Sequence, residues 1–529
     1  MCTAFKNADT ALSQRVLRVK ASWVRASYHL GFLRSIAQIL PTEYLELQDQ
    51  TLKVLQEKLE MTVSTLESLV VKGQAPTTSQ NQSQQQVRAK RAKYALLEGR
   101  LNKAIDDLET WQGIFDPSWY LIIKAAIPQI DEELAKYTES PVKAAISPSF
   151  SLRNTLRSPS QDITPIWLKE EGITNLCIVD IPFSSAKLAQ RVDGSRGLIL
   201  ESILCPAPVN PMEFTGKVRD LARKLSLADP VTFGLLNCKG VVKQEDGTTQ
   251  AFTFVFRMPD GLSEPTSLRS MLLSGDSNHS LSDRFLIASQ LAKSVCYMHT
   301  FGFVHKNVRP ENILMLKGFG EPTGRAYLVG FEHFRAAEGN TSRLGDSAWE
   351  RNFYRHPHRQ GEIPKEAYIM QHDIYSLGVC MLELGLWESF VEYDATGTSP
   401  CPSSALQLSL ESPQFHDPSL LKDHLLSMAR SVLPRRMGTK YTQVVETCLT
   451  CLDPDNKDFG DEEEFQDADG ILVGVRYIEK VGVTTIAVSK TSLTFLDSDE
   501  IKYYICLAGR RWSVVVRNFL FGLIIFYTV

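Results

Sequence analysis

The stretch FVHKNVRPENILML, residues 303–316, decides how this chain is read. Phe303 and Val304 lead into a polar loop, residues 305–312, and an apolar run, residues 313–316, leads out of it. Just before it, from Ser282, Phe285, Ala288, Leu291, Ala292, Val295 and Met298 recur at helical spacing and predict a helix with one apolar face. Just after it, apolar runs on either side of KGFGEPTG predict a strand pair, and YLVGFEHF (327–334) follows. HDIYSLGVCMLELGLW (372–387) predicts a second apolar helix.

Upstream, residues 176–181, 197–204, 231–242 and 251–257 are β-branched or aromatic runs separated by turn signals such as Asp193-Gly194 and Asp246-Gly247. Residues 212–227 read as one helix among these strands, giving a small α+β region. Residues 141–165 are rich in Ser and Pro and predict a linker. Earlier still, Leu45, Leu52, Leu59 and Leu66 form a heptad row with Leu55 and Leu69 beside it. A polar stretch at 73–86 separates this helix from another, marked by Tyr94, Leu101, Leu108 and by Leu97, Ala104, Trp111. Two helices joined by a loop suggest an antiparallel hairpin in a bundle. Its stripe reads as a bundle core, with self-association through residues 45–112 as the sharper alternative. The basic cluster Arg88, Lys90, Arg91, Lys93 reads as a solvated helix face, with contact to acidic lipid as the alternative.

Of the 529 residues, 43% are hydrophobic and 22% charged, which excludes wholesale disorder, a collagen-like fibre and a polytopic membrane protein. The net charge of −4 implies no nucleic-acid partner. Ten cysteines in so long a chain suit a reducing compartment. Residues 1–20 carry five charges and no secretory h-region. Residues 519–529 are apolar but shorter than the ~20 residues a membrane helix needs. A cytoplasmic location is expected, with a peripheral or tail-anchored one as the alternative. Cys448 and Cys451 end an apolar helix without a second ligand pair and read as buried free thiols; His356, His358 and His372 have no recognised metal spacing. Residues 453–469, with nine carboxylates, read as an exposed acidic loop. Residues 471–481 resume as an apolar element.

HKNVRPEN (305–312) resembles, residue for residue, the catalytic loop H-R-D-L-K-P-E-N of protein kinases. Gly330-Phe331-Glu332 falls where the metal-binding D-F-G would sit, Tyr354 to Pro357 where A-P-E would sit, and Asp373 to Gly378 resembles the start of the buried helix of the kinase large lobe. The resemblance covers roughly residues 166–480. It implies an α+β, two-lobed kinase-like fold after an α-helical domain: helical bundle 1–140, linker 141–165, small lobe 166–260, large lobe 261–481 and an extension at 482–529.

By the same resemblance, His305, Lys306, Asn307 and Arg309 occupy catalytic-loop positions. Asn312, Gly330, Phe331 and Glu332 occupy metal-loop positions, while Asp373 and Gly378 are structural. Asp373 would accept backbone N–H bonds from the loop, and His305 and Phe331 would stack. The departures carry the functional reading. Asn307 replaces the hydroxyl-orienting Asp and cannot take a proton. Gly330 replaces the metal-binding Asp, leaving Asn312 as one neutral ligand that suits magnesium poorly; Glu332 would need a different loop path to substitute. No G-x-G-x-x-G precedes the strands, and Val192 to Gly197 is at most its relic or a plain hairpin. The strand 198–203, the best match for the one that should bear the phosphate-pairing Lys, has none, and the helix after it offers only Glu213 at its start.

The expectation is a pseudokinase that signals through protein partners, needs no cofactor and holds no metal. The alternatives are a divergent Ser/Thr kinase using ATP and magnesium, and a membrane-acting helical effector. The architecture is similar to fungal proteins in which a helical, HeLo-like domain precedes a kinase-like module, a class associated with self-recognition and regulated cell death, and to the effectors of animal necroptosis.

Overall fold

The computed structural model describes residues 166–456, apart from 175, 191–196, 207–208, 247–248, 276–278, 319–323, 337–344, 395–396 and 398, together with residues 8–20 (except 10), 33, 36, 42–69, 90–102, 104, 105, 108 and 132. The polar stretch 73–86, the linker 141–165, most of the acidic loop, and residues 471–481 and 482–529 lie outside the described residues. So does Trp111. The described residues up to 132 belong to one compact unit and residues 166–456 to another.

In the first unit, helix α1 (Thr42–Leu69) turns Leu55, Leu66 and Leu69 inward. The helical residues 91–102 bury Tyr94 and Leu101, and Ala104, Ile105 and Leu108 follow on the same side. Thr62, fully buried in the stripe, donates its hydroxyl to the carbonyls of Lys58 (2.7 Å) and Ala104 (3.1 Å), so its polar atom is satisfied as it crosses the interface. Arg15 reaches Asn102 (2.6 Å) and Glu98 (3.1 Å), and Arg91 of the basic cluster pairs with Asp9 at 2.7 Å. These stripe residues are thus covered by the chain's own helices, at roughly 1.5–3 kcal/mol per buried leucine.

The second unit is α+β. Its largest sheet has six strands in the order β1-β5-β6-β4-β3-β2: β1 (Trp167–Leu168), β2 (Cys177–Asp180), β3 (Lys187–Gln190), β4 (Leu198–Leu204), β5 (Cys238–Asp246) and β6 (Thr249–Arg257). Among the described strands of this sheet, only β1 and β5 pair in parallel. Central β6 is buried on both faces: Phe252, Phe254 and Phe256 point one way, and Val255 points the other way into a cluster with Ala189, Leu200 and Val242. Helix α2 (Pro211–Ser226) is capped by Asn210, which accepts the Met212 N–H at 2.9 Å, and packs Phe214 against Phe252 with ring centroids 5.7 Å apart.

One reading is corrected. Residues 231–242 are not one strand: Pro230–Phe233 is a helical turn and the strand starts at Cys238. Pro230 presets a helical φ at the first position of the turn, and Gly234 (φ +63°) ends it where a Cβ would lie 2.3 Å from Ser294 Oγ. The Val192 to Gly197 stretch joins β3 to β4, which pair antiparallel, in keeping with its reading as a hairpin; the β2–β3 pair is closed by IPFSSA (181–186), which has no glycine. Strands β1, β3 and β7 (Leu262–Ser267) escaped the sequence reading because they are short or polar.

The remaining elements are mostly helical. A small sheet, β10-β9-β7, contains β9 (Ile313–Gly318) and β10 (Arg325–Leu328); β8 (Phe303–Val304) pairs with β11 (Arg335–Ala336). Helix α3 (Leu268–Leu273) precedes α4 (Leu281–Thr300), which starts with a capping box between Ser280 and Asp283. Helix α5 (Met370–Leu386) is buried on every side. It lies against α6 (Pro418–Met437) and α7 (Thr439–Leu449) so closely that a Cβ at Gly378 would come 2.8 Å from Cys448 Cβ. Among the described residues no helix is long and apolar enough to cross a membrane.

Candidate functional site

The hairpin β9–β10 assembles the site. Asn312 lies just before β9 and Gly330 just after β10, and the antiparallel register (Ile313 opposite Leu328) brings them together. The Val329 N–H donates to the Asn312 carbonyl at 2.9 Å. The loop 305–312 is held from below by Asp373 in the first turn of α5. Its carboxylate accepts the N–H of His305 and of Lys306, each at 2.8 Å, and the Tyr368 hydroxyl at 2.7 Å; His299 Nε2 lies at 3.0 Å. Burial opposes ionisation of Asp373, but the bond and charge of His299 and the Tyr368 bond outweigh it and hold its pKa below the usual range. Lys306 is left at φ +67°.

Asn307 Nδ2 donates to Glu332 Oε1 at 2.8 Å and to the Gly330 carbonyl at 3.3 Å. Asn312 Nδ2 donates to the Asn307 carbonyl at 2.8 Å, and Asn312 Oδ1 is buried without a hydrogen-bond partner. Glu332 also faces His333 (3.5 Å) and Arg309 (3.8 Å). The His305 ring rests on Phe331, centroids 5.2 Å apart, and Phe331 rests on Phe256 (6.0 Å) and Phe254 (6.3 Å) of the sheet. Burial lowers the His305 pKa to about 4, keeping the ring neutral.

Gly330 has φ +89°, and a Cβ there would lie 2.2 Å from Asn312 Cγ. The space a side chain would take at position 330 is already filled by the Asn312 amide.

The sequence reading missed Glu201. It sits on β4, on the inward face with Ile199 and Ile203, and is 1% exposed. Its Oε2 accepts the Gly330 N–H at 3.0 Å and its Oε1 accepts the Phe331 N–H. Burial pushes its pKa up to about 7 against those two bonds, and the charge of Glu332 adds to the rise. The available signal was a single acid in the apolar strand LILESIL, since a Glu is almost never fully buried without partners.

Arg269 was missed as well. This fully buried guanidinium joins Glu311 (3.1 Å), Glu383 (2.9 Å), Ser389 (2.5 Å) and the Tyr354 hydroxyl, and so ties the loop 305–312 to α5. Glu213 is not brought to the site; it pairs with Lys217 on α2 at 2.6 Å. The rings of His356, His358 and His372 do cluster, with centroids 4.8 and 5.5 Å apart, but no group among the described residues could hold a metal ion. Cys448 and Cys451 are buried free thiols.

No known protein family profile matches this chain. Over 80 residues, 13% of this chain and 22% of the relative, it is 29% identical to a protein of Saccharomyces cerevisiae named as a probable serine/threonine-protein kinase. The chain therefore spans about a fifth of the length of that curated relative, and the similarity points to kinase-like relatedness for part of it.

Proposed function

We propose that residues 166–481 form a two-lobed, kinase-like module that transfers no phosphoryl group and acts as a regulatory scaffold joined to a helical domain. The observation that carries this reading is the filled space at Gly330: a metal-binding carboxylate has no room beside Asn312. Glu201 supports it from the opposite side. In a kinase-like module the inner end of the cleft must be electropositive to hold phosphates. Here it contains a buried carboxyl, and two backbone N–H groups that could have faced an anion are already used by it.

The residues present do not suit a magnesium–triphosphate group. Asn312 Oδ1 is one neutral oxygen, and the Glu332 carboxylate is engaged by the Asn307 amide and faces Arg309 and His333. What survives is the framework: Asp373, His305, Phe331 and the Arg269 network hold the loop 305–312 in place. Such a module signals by presenting surfaces to protein partners. The covered stripe of α1 favours a role within the helical domain's own core over self-association through residues 45–112.

One observation favours the runner-up, a divergent kinase. Glu332 places a carboxylate 2.8 Å from the Asn307 amide, at the catalytic-like loop. A thermal-shift titration of the full chain with ATP, with and without magnesium, separates the two. A ligand that binds the folded state must raise its melting temperature. No magnesium-dependent rise is expected; a rise of several degrees, abolished by Glu332→Gln, would favour the kinase instead.

A further inference from the structure

Helix α6 buries Leu421, Leu425, Ala429 and Leu433 and turns Asp423, Ser427, Ser431 and Arg435 out to solvent, four residues at i, i+4 spacing, with Arg430 beside them. A cavity of about 440 Å³ lies along this face. The described residues that line it, Asp423, Leu426, Ser427, Arg430 and Ser431, all belong to α6. Among the described residues, nothing forms its opposite wall.

The charge of this face changes sign along the helix. Asp423 stands toward the helix start, and Arg430 and Arg435 follow toward its end. Lys440, in the first turn of α7, continues the positive end. The Arg430 side chain is 62% exposed although Glu446 lies 3.3 Å away, and Arg435 and Lys440 form no ion pair among the described residues.

The chain passes the acidic end of the face as it leaves α7. Asp453 pairs with Lys422, next to Asp423, and the Asn456 amide donates to the Thr447 carbonyl (3.0 Å) and the Thr450 hydroxyl (2.8 Å). The next thirteen residues, KDFGDEEEFQDAD (457–469), lie outside the described residues. They begin with one cation, Lys457, and then carry seven carboxylates and two aromatic rings. Their order of charge is opposite to that of α6: Lys457 comes first, at the Asp423 end, and the acidic block 461–464 comes later, toward Arg430 and Arg435. The lengths agree as well. Asp423 to Arg430 is ~10 Å of helix, and Lys457 to Asp461 spans at most ~14 Å of extended chain.

We propose that residues 457–469 dock on α6 of their own chain, with Lys457 at Asp423, Phe459 in the cavity over Leu426, and the block 461–464 on Arg430 and Arg435. Single ion pairs on a surface are weak and screened by salt. The contact therefore depends on several acids acting together, on burial of the Phe459 ring, and on the tether at Asn456, which holds the segment at high effective concentration. An acidic segment of another protein lacks that tether, so the chain's own segment is the occupant. The inference is independent of whether the module transfers a phosphoryl group.

The test uses the full chain. A protease that cuts after Glu should cleave at residues 462–464 about tenfold more slowly in the wild type at low salt than in Arg430→Glu/Arg435→Glu, and the difference should vanish at ~0.5 M salt. Amide hydrogen exchange in α4 and α7 at the wild-type rate checks that the double variant is folded. Phe459→Ser, a change outside α6, should also speed cleavage. Placement is read from Arg435→Lys: a zero-length carbodiimide should join its amine to a carboxylate of residues 461–464 within one chain. Equal cleavage of the wild type and the double variant at low salt would overturn the docking. Protection that disappears on dilution would assign the segment to a second copy and overturn docking within one chain. Absence of any link from position 435 to 461–464 would overturn the placement.

Discussion

Gly330→Ala should be far more damaging than its small size suggests. The alanine must adopt φ +89°, which costs an L-residue roughly 1–2 kcal/mol. Its methyl group would lie 2.2 Å from Asn312 Cγ and 2.5 Å from Nδ2, so the fully buried Asn312 must move. That breaks its 2.8 Å bond to the Asn307 carbonyl and leaves buried polar groups unpaired, at about 1–3 kcal/mol. The expected loss is about 2–5 kcal/mol, read from urea midpoints at constant m-value. Gly302→Ala is the control: Gly302 has φ +77° but nothing within 4 Å of its added Cβ, so only the backbone strain of ~1–2 kcal/mol applies. The excess at position 330 should vanish in an Asn312→Ala background, where the obstructing amide is gone. If Gly330→Ala costs no more than Gly302→Ala, or the excess survives removal of the Asn312 amide, the filled-site argument is wrong.

Two other outcomes follow from the buried charges. Arg269→Met strands Glu311 and Glu383 without their cation and should cost about 3–5 kcal/mol, and Arg269→Lys should not recover it because the planar fork is lost; a urea-measured change below 1 kcal/mol would contradict the network. Stability should also fall on acidification. Burial holds His305, His356 and His372 at about 4, 2 and 3, below their unfolded value of 6.5, so their contribution is complete above pH 6.5 and is lost as pH drops beneath it. Glu201, raised to about 7, and Glu383, also raised, act in the opposite sense, favouring the fold more as pH falls through the acid range. With His333 also lowered to about 4 by burial, the histidines outnumber these carboxyls and the net slope between pH 6 and 5 is at least ~1.4 kcal/mol per pH unit; a flat urea midpoint over that range would refute it.

The loop and its supports were legible in the residues. HKNVRPEN is a contiguous string, and the helix and strands around it follow from apolar periodicity over ten or more residues. The small strands were not legible. β1 has two residues and β3, KLAQ, points only one buried side chain, Ala189, inward, so neither offers a repeat to detect. Val231 and Thr232 favour a strand intrinsically, yet the Pro230 φ and the tight Gly234–Ser294 approach prevailed. The candidate site shows the same division. Asn307 and Gly330 could be recognised as missing acids through the resemblance of their segments to kinase motifs, whereas Glu201 looked like a chance polar residue in an apolar strand.

What the sequence by itself determined is local and additive: which segments carry a helical or strand period, that residues 305–312 are a polar loop between apolar elements, and that carboxylates are absent at 307 and 330. What only the tertiary structure decided is what stands in their place. Residues 201, 312 and 330 are as much as 129 positions apart, and only the β9–β10 register and the packing of β4 over the loop make one side chain fill the gap and another cap its backbone. A missing side chain can be read from a string, but the steric and electrostatic occupation of the space it leaves depends on distances between residues remote in the chain.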